Sequence, residues 1–397
     1  MKLKSLYYNT MIYIVTDVLV KALPFFLIPI VTRFLSVEQY GNISLILSTI
    51  EILTILIICG TQSFYRYCFF NDKYNNDQVF ISSILISLMM LSVFFVFLLF
   101  IFDGWLKLLP IVSFFQAIIS ITICHYQLSE KPIKIGMINI SLALLSFITT
   151  IMFLFFGLGF NGRLLSVIIC PIIIGIACLY LFKDKVKIKI VDSFILKKSF
   201  IFGIKSLPSS LSWWLRSGAD RFIIQYFLGA VYVGYFSLSV QVSLIFSVVS
   251  IAINNSFSPK ILKYTNERSF REVCLIIFKA FSLIIVVGSL IYIMMPIFFK
   301  ILPNKFLASK EYILPLLLGI AMHGLFLISS NILIARNKPG FLSLVSIFSA
   351  VIHVIISILA SKFIGLNGVV WSGFISYIIS ITILIIFLKK DYFNDKF

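Results

Sequence analysis

Val79 to Phe102 reads VFISSILISLMMLSVFFVFLLFIF, a run without a single charged side chain. A helix rises 1.5 Å per residue, so about 20 apolar residues cross the roughly 30 Å hydrocarbon layer of a bilayer. A run this long has no place in a soluble core, because only a surrounding of lipid or protein could cover it on every side. Working outward in both directions, similar stretches recur. They are predicted at about 10–32, 42–65, 79–102, 108–128, 135–158 and 163–182, then at 200–219, 232–257, 273–299, 312–335, 340–361 and 366–388. Composition agrees: the chain is 60% hydrophobic and 12% charged, where a soluble domain carries about 25% charged residues.

The formal net charge of +18 would suggest nucleic acid if it formed one patch. Instead the cations are dispersed in the short connections, which reads as membrane topology and argues against a nucleic-acid partner. Lys2, Lys4, Arg66, Lys73, Lys131, Lys134, the cluster Lys183 to Lys198, Lys260, Lys263, Arg268, Arg271, Arg336, Lys338, Lys389, Lys390 and Lys396 fall on one alternate set of connections. They outnumber the Lys and Arg of the other set by more than two to one. The positive-inside rule then puts both termini in the cytoplasm. The Lys-rich segment 184–199 divides the chain into an N-terminal six-helix bundle, 1–183, and a C-terminal six-helix bundle, 200–397. Lys21-Ala-Leu-Pro24 and Lys205-Ser-Leu-Pro208 echo each other across that division, as in transporters built from repeated halves.

The start, Met1-Lys2-Leu-Lys4, imitates a signal peptide, but the following apolar stretch carries Asp17 and Lys21 and no small-residue cleavage site follows. It is read as a retained first span. The six Cys form no CxxC pair and the three His are dispersed, so no metal site, disulfide framework or cofactor is expected. P-loop, GxSxG and HExxH patterns are absent, and no external connection is long enough for a catalytic domain, so the chain reads as no enzyme.

Ionisable residues inside spans cost about 2.5–3.5 kcal/mol each at a helix centre and mark function by default. In the first span, Asp17 and Lys21 are four apart and can pair, a pair that either lines a cavity or merely neutralises itself. Pro24 and Pro29 give that helix a bend suited to a gate, as Pro208 does for the seventh span. Glu51 shares one polar stripe with Ser44, Ser48 and Thr54, and is a candidate coupling acid for a proton or sodium ion, or a counter-charge to Lys21 or Lys205. The longest stripe is Lys205, Ser209, Ser212, Arg216 and Asp220, with Trp213 beside it and Arg221 following. Lys and Arg on a wet face suit an anion, and the guanidinium fork suits phosphate. The alternative for Asp220 and Arg221 is an external interfacial cap. His323 and His353 read as packing residues, and Asn254, Asn255 and Asn331 as hydrogen-bonded links between helices.

Two stretches carry a family resemblance. The first runs from Pro29 through Arg33 and Leu35 to Tyr40-Gly41, followed by Gly60 to Arg66. The second runs through Gly203 to Pro208, Ser217-Gly-Ala-Asp220-Arg221, Leu228-Gly229, Val233-Gly234-Tyr235 and Pro259. The chain resembles the Wzx-type O-antigen and polysaccharide repeat-unit flippases of the MOP (MATE-like) exporter superfamily. Asp17, Glu51 and Lys205 match no fixed motif of that family. The resemblance implies an all-α integral membrane fold, two six-helix bundles around a central cavity, working by alternating access in the bacterial inner membrane. It implies a cargo of undecaprenyl diphosphate-type lipid-linked oligosaccharide, with membrane lipids and a polysaccharide polymerase complex as further partners. The rival readings are another MOP exporter, either a lipid II flippase or a multidrug/cation antiporter, and a polymerase or acyltransferase of polysaccharide assembly. The basic balance of the span charges favours an anionic cargo over a cation.

Overall fold

A computed structural model describes residues 2–69, 74–100, 104–182 and 192–394. Side chains up to Val15, and that of Asp17, lie outside the described residues, as do residues 183–191 of the Lys-rich segment. Among the described residues the secondary structure is helical throughout. The helices are α1 (Lys2–Phe34), α2 (Val37–Ile58), α3 (Thr61–Phe69), α4 (Asn76–Leu99), α5 (Leu109–Leu128), α6 (Pro132–Phe155) and α7 (Gly159–Leu181), then α8 (Ser193–Ser217), α9 (Ala219–Phe227), α10 (Ala230–Asn266), α11 (Phe270–Phe299), α12 (Ile313–Ala335), α13 (Pro339–Phe363) and α14 (Leu366–Asn394). Short 3-10 segments lead into α5 and α12.

Ten helical segments among the described residues are long and apolar enough to cross a bilayer. The chain is therefore a multi-pass membrane protein. The first and seventh expected stretches fall on α1 and α8. The Lys205, Arg216 and Ser content of α8 lowers its hydropathy, and the first half of α1 lies outside the described side chains. Many span boundaries agree within a few residues, but α1 begins at Lys2 and α8 at Ser193, ahead of the expected 10 and 200, and α10 runs to Asn266, past the expected 257; one break is hidden by the apolar pattern. The second expected span is cut after Ile58, where Cys59 and Gly60 both adopt positive φ (50° and 66°), so α3 sets off in a new direction. The seventh ends close to where it was expected, at Gly218 between α8 and α9.

The chain divides into two compact units. The first comprises 1–35 and 46–211, the second 36–45 and 212–397. Thus α2 gives its first turns to the second unit, and α8 gives its last residues to it. In the first unit α1 packs on α6, and α5 and α6 both pack on α7. A buried cluster of Phe64, Tyr65, Phe80, Ile118 and Phe182 fills one part of its core. Close backbone approach joins α2 to α8: a Cβ on Gly203 would lie 2.1 Å from the Cys59 carbonyl oxygen. Only glycine tolerates such proximity.

In the second unit the most extensive packing is of α10 on α12 and of α14 on α12 and α13. Asn331 Nδ2 donates to Asn254 Oδ1 at 3.0 Å, and Ser258 Oγ donates to Asn331 Oδ1 at 2.7 Å, linking α10 to α12. Tyr40 hydroxyl donates to Gln241 Oε1 at 2.5 Å, and Gly41 lies so close to α10 that a Cβ there would meet the Ala230 oxygen at 2.2 Å. These contacts hold the first turns of α2 against α10.

Candidate functional site

The polar stripe predicted for the seventh span is laid along α8. Lys205 and Ser209 are exposed, Ser212 is buried, Trp213 is 54% exposed and Arg216 is half-buried. Four-residue and three-residue steps bring them to one side of the helix, as the 3.6-residue period requires. Pro208 lies within α8, and Pro24 and Pro29 lie within α1.

Arg216 is the best-held cation of the stripe. Its guanidinium stands over the Tyr377 ring, 4.6 Å from the centroid, and Nη2 donates to the Ser346 carbonyl at 3.3 Å. His323 lies tilted beside that ring with centroids 4.9 Å apart, and Trp213 follows at 6.0 Å from His323. An Arg supported by an aromatic face keeps its charge while its fork stays oriented.

After Gly218, Asp220 lies in the first turn of α9, inside the second unit. It is only 5% exposed. Ser357 Oγ donates to Asp220 Oδ1 at 2.6 Å, and His353 Nε2 lies 3.1 Å from Asp220 Oδ2. His353, 2% exposed, reaches Ser372 Oγ with Nδ1 at 3.3 Å. An acid in an apolar bundle needs such partners, because burying an unpaired carboxylate costs far more than a neutral polar group. Arg221 is half-buried. Its Nε donates to Ser44 Oγ at 2.7 Å and its Nη1 to the Ser217 carbonyl at 2.6 Å.

The structure thus brings Trp213, Arg216, Asp220 and Arg221 together within the second unit. Lys21, exposed on α1, Glu51, exposed on α2, and Lys205 and Ser209 belong to the first. The Asp17 side chain lies outside the described residues. His353 is the member that the sequence concealed, since a lone apolar-span His reads as packing. Its one signal is Ser357 four residues later, which puts a second polar group on the same face of α13.

A family model described as "Polysaccharide biosynthesis protein" matches residues 6–265, more than half of the chain. The chain belongs to this family. The polysaccharide biosynthesis protein is similar along nearly its whole length to the "Lsg locus putative protein 1" of Haemophilus influenzae, at 22% identity over 96% of this chain and 98% of the relative. An uncharacterised membrane protein of the same organism is 23% identical over 88% and 89%. Among solved structures, an inward-facing multidrug resistance MATE family transporter of the MOP superfamily superposes with a TM-score of 0.72 at 14% identity, covering 93% of this chain and 95% of that one. The lipid II flippase MurJ, in an inward closed conformation, superposes with a TM-score of 0.68 at 14% identity, covering 97% and 86%. The fold is therefore the one shared by MATE transporters and MurJ.

Proposed function

We propose that this polysaccharide biosynthesis protein is a flippase that carries a polyprenyl diphosphate-linked oligosaccharide, an O-antigen or capsule repeat unit, from the cytoplasmic to the external leaflet. The observation that carries this reading is the face of α8. Lys205 and Arg216 supply positive charge there, Ser209 and Trp213 supply a hydroxyl and an exposed indole, and the helix contains no acidic residue. A diphosphate calls for the cations, and sugars call for hydroxyl and aromatic partners. The polyprenyl chain can stay in lipid. Asp220, which ends the predicted stripe, lies on α9 and is engaged by His353 and Ser357. A multidrug exporter for cations would want the opposite sign.

In this reading the transport works by alternating access, an ion gradient supplies the energy, and the protein resides in the bacterial cytoplasmic membrane. Glu51 and Asp17 are the candidate coupling acids of the first unit. The lipid-linked cargo named for the structural neighbour MurJ belongs to the same chemical class. The test is complementation of a bacterium lacking its own repeat-unit flippase. Wild type restores surface polysaccharide, while Lys205→Ala and Arg216→Ala reach the membrane in normal amount and fail to export. Equal export by both variants would refute the role given to the α8 cations.

A further inference from the structure

Asp220 is the one buried acid among the described residues, and it is held by a buried histidine. Counting hydrogens against acceptors around this pair shows what it lacks. A carboxylate only accepts, so Ser357 commits its hydrogen to Oδ1 and His353 must carry one on Nε2 for Oδ2. Ser372 then holds the last hydrogen. Its Oγ lies 2.6 Å from the Val369 carbonyl oxygen, 2.8 Å from Ser357 Oγ and 3.3 Å from His353 Nδ1. With a neutral imidazole, Ser372 can serve Nδ1 or the Val369 carbonyl, but not both. A proton on Nδ1 removes the conflict. Nδ1–H donates to Ser372 Oγ, Ser372 donates to the Val369 carbonyl, and every donor has its own acceptor.

We propose that His353, oriented by Asp220, is a proton-binding site that loads and unloads at Nδ1 during the transport cycle. Both carboxylate oxygens already face hydrogen-bond donors, so the ligand is a proton and not a metal cation. The groups around the pair are few. Arg216 of α8 is the charged neighbour that acts on His353 besides Asp220. Arg216 stands over the ring of Tyr377 of α14, and His323 of α12 lies beside that ring. One turn further along α9, Ile224 packs with Val233, Phe236, Val369 and Val370 in an apolar cluster. Uptake changes the pair from a net negative charge to an internally neutral ion pair, beside Arg216. A cation of the cargo face therefore feels each loading event, which no other buried pair described in the second unit can provide. The site belongs to the second unit, Glu51 to the first. Its coupling role rests on the flippase reading, whereas protonation itself does not.

The chain has three His (His125, His323 and His353), so imidazole nitrogen spectra of 15N-His-labelled protein in nanodiscs are assignable with single His→Gln variants. In wild type we expect His353 to pass from one to two protonated nitrogens as the pH is lowered through the range in which imidazole ordinarily titrates. In Asp220→Asn the doubly protonated form disappears from that range, and Asp220→Glu restores it. In export assays, collapse of the pH gradient slows wild type several-fold but leaves His353→Gln unchanged. A single tautomer of His353 across the whole range, measured on the unaltered protein, would overturn the proposal and make the pair a purely structural link. Titration without a response of export to the pH gradient would overturn its part in coupling. Titration in a protein that fails to complement would retain the proton site and reject the flippase reading, so the two failures are distinguishable.

Discussion

Gly203→Ala is the most incisive perturbation of the packing that joins α2 to α8. The added Cβ would lie 2.1 Å from the Cys59 carbonyl oxygen and 3.2 Å from the Thr61 nitrogen. Carbon and oxygen normally stop at about 3.3 Å, so α8 must retreat by roughly 1 Å from a backbone that cannot rotate out of the way. Overpacking of this kind costs about 1–3 kcal/mol. The retreat also strains the bond of Ser206 Oγ to the Gly60 carbonyl, now 3.2 Å, worth about 0.6 kcal/mol in a membrane protein. Against this, alanine in a helix interior gains about 0.5–1 kcal/mol over glycine. The net expectation is a loss of about 1–3 kcal/mol. Gly340→Ala, where nothing lies within 4 Å, keeps only the gain, so the two variants should differ by about 2 kcal/mol or more. Gly60→Ala adds the left-handed backbone penalty of about 1–2 kcal/mol, because Gly60 has φ +66°. Gly157→Ala, at φ +79° in open space, carries that penalty alone. Unfolding in mixed detergent micelles titrated with SDS measures all four. If Gly203→Ala matched Gly340→Ala, and Gly60→Ala matched Gly157→Ala, the close approach of α2 and α8 would be refuted.

Leu154 is fully buried in α6, so Leu154→Ala should cost about 2–5 kcal/mol in the same titration; a loss below about 1 kcal/mol would mean the site is open to lipid. Asn331→Leu removes both links from α12 to α10 and should cost about 1 kcal/mol, since membrane hydrogen bonds average about 0.6 each; adding Asn254→Leu should then cost little more, and full additivity would deny the bond. Cys274 is the one exposed cysteine and the other five are buried, so maleimide labelling of the folded protein should stop at Cys274 and vanish in Cys274→Ala.

Much of the architecture was legible because the bilayer imposes one rule on every span, and uninterrupted runs such as Val79 to Phe102 obey it. Many helix ends agreed for the same reason, but α10 continues past Lys260 and Lys263 to Asn266, since a helix can run on beyond the hydrocarbon into polar sequence. The break at Cys59-Gly60 was not legible, since it lies inside an otherwise suitable stretch and depends on positive φ angles that apolar periodicity does not encode. The stripe on α8 was legible from its spacing, and Arg216 was readable as a cation of the site. Its aromatic support was not, because Tyr377 and His323 come from helices far along the chain. Asp220 could be read as a site residue, but its partner could not. A histidine more than a hundred residues away carries no sequence sign of the pairing.

The central claim is tested most directly by reconstituting the purified protein in liposomes with a fluorescent undecaprenyl diphosphate-linked oligosaccharide and adding a membrane-impermeant quencher. Wild type should make the inner-leaflet pool accessible to quenching, and Lys205→Ala and Arg216→Ala should slow this markedly in equally reconstituted vesicles. Quenching no faster than in protein-free liposomes, across cargoes of different sugar composition, would contradict the account.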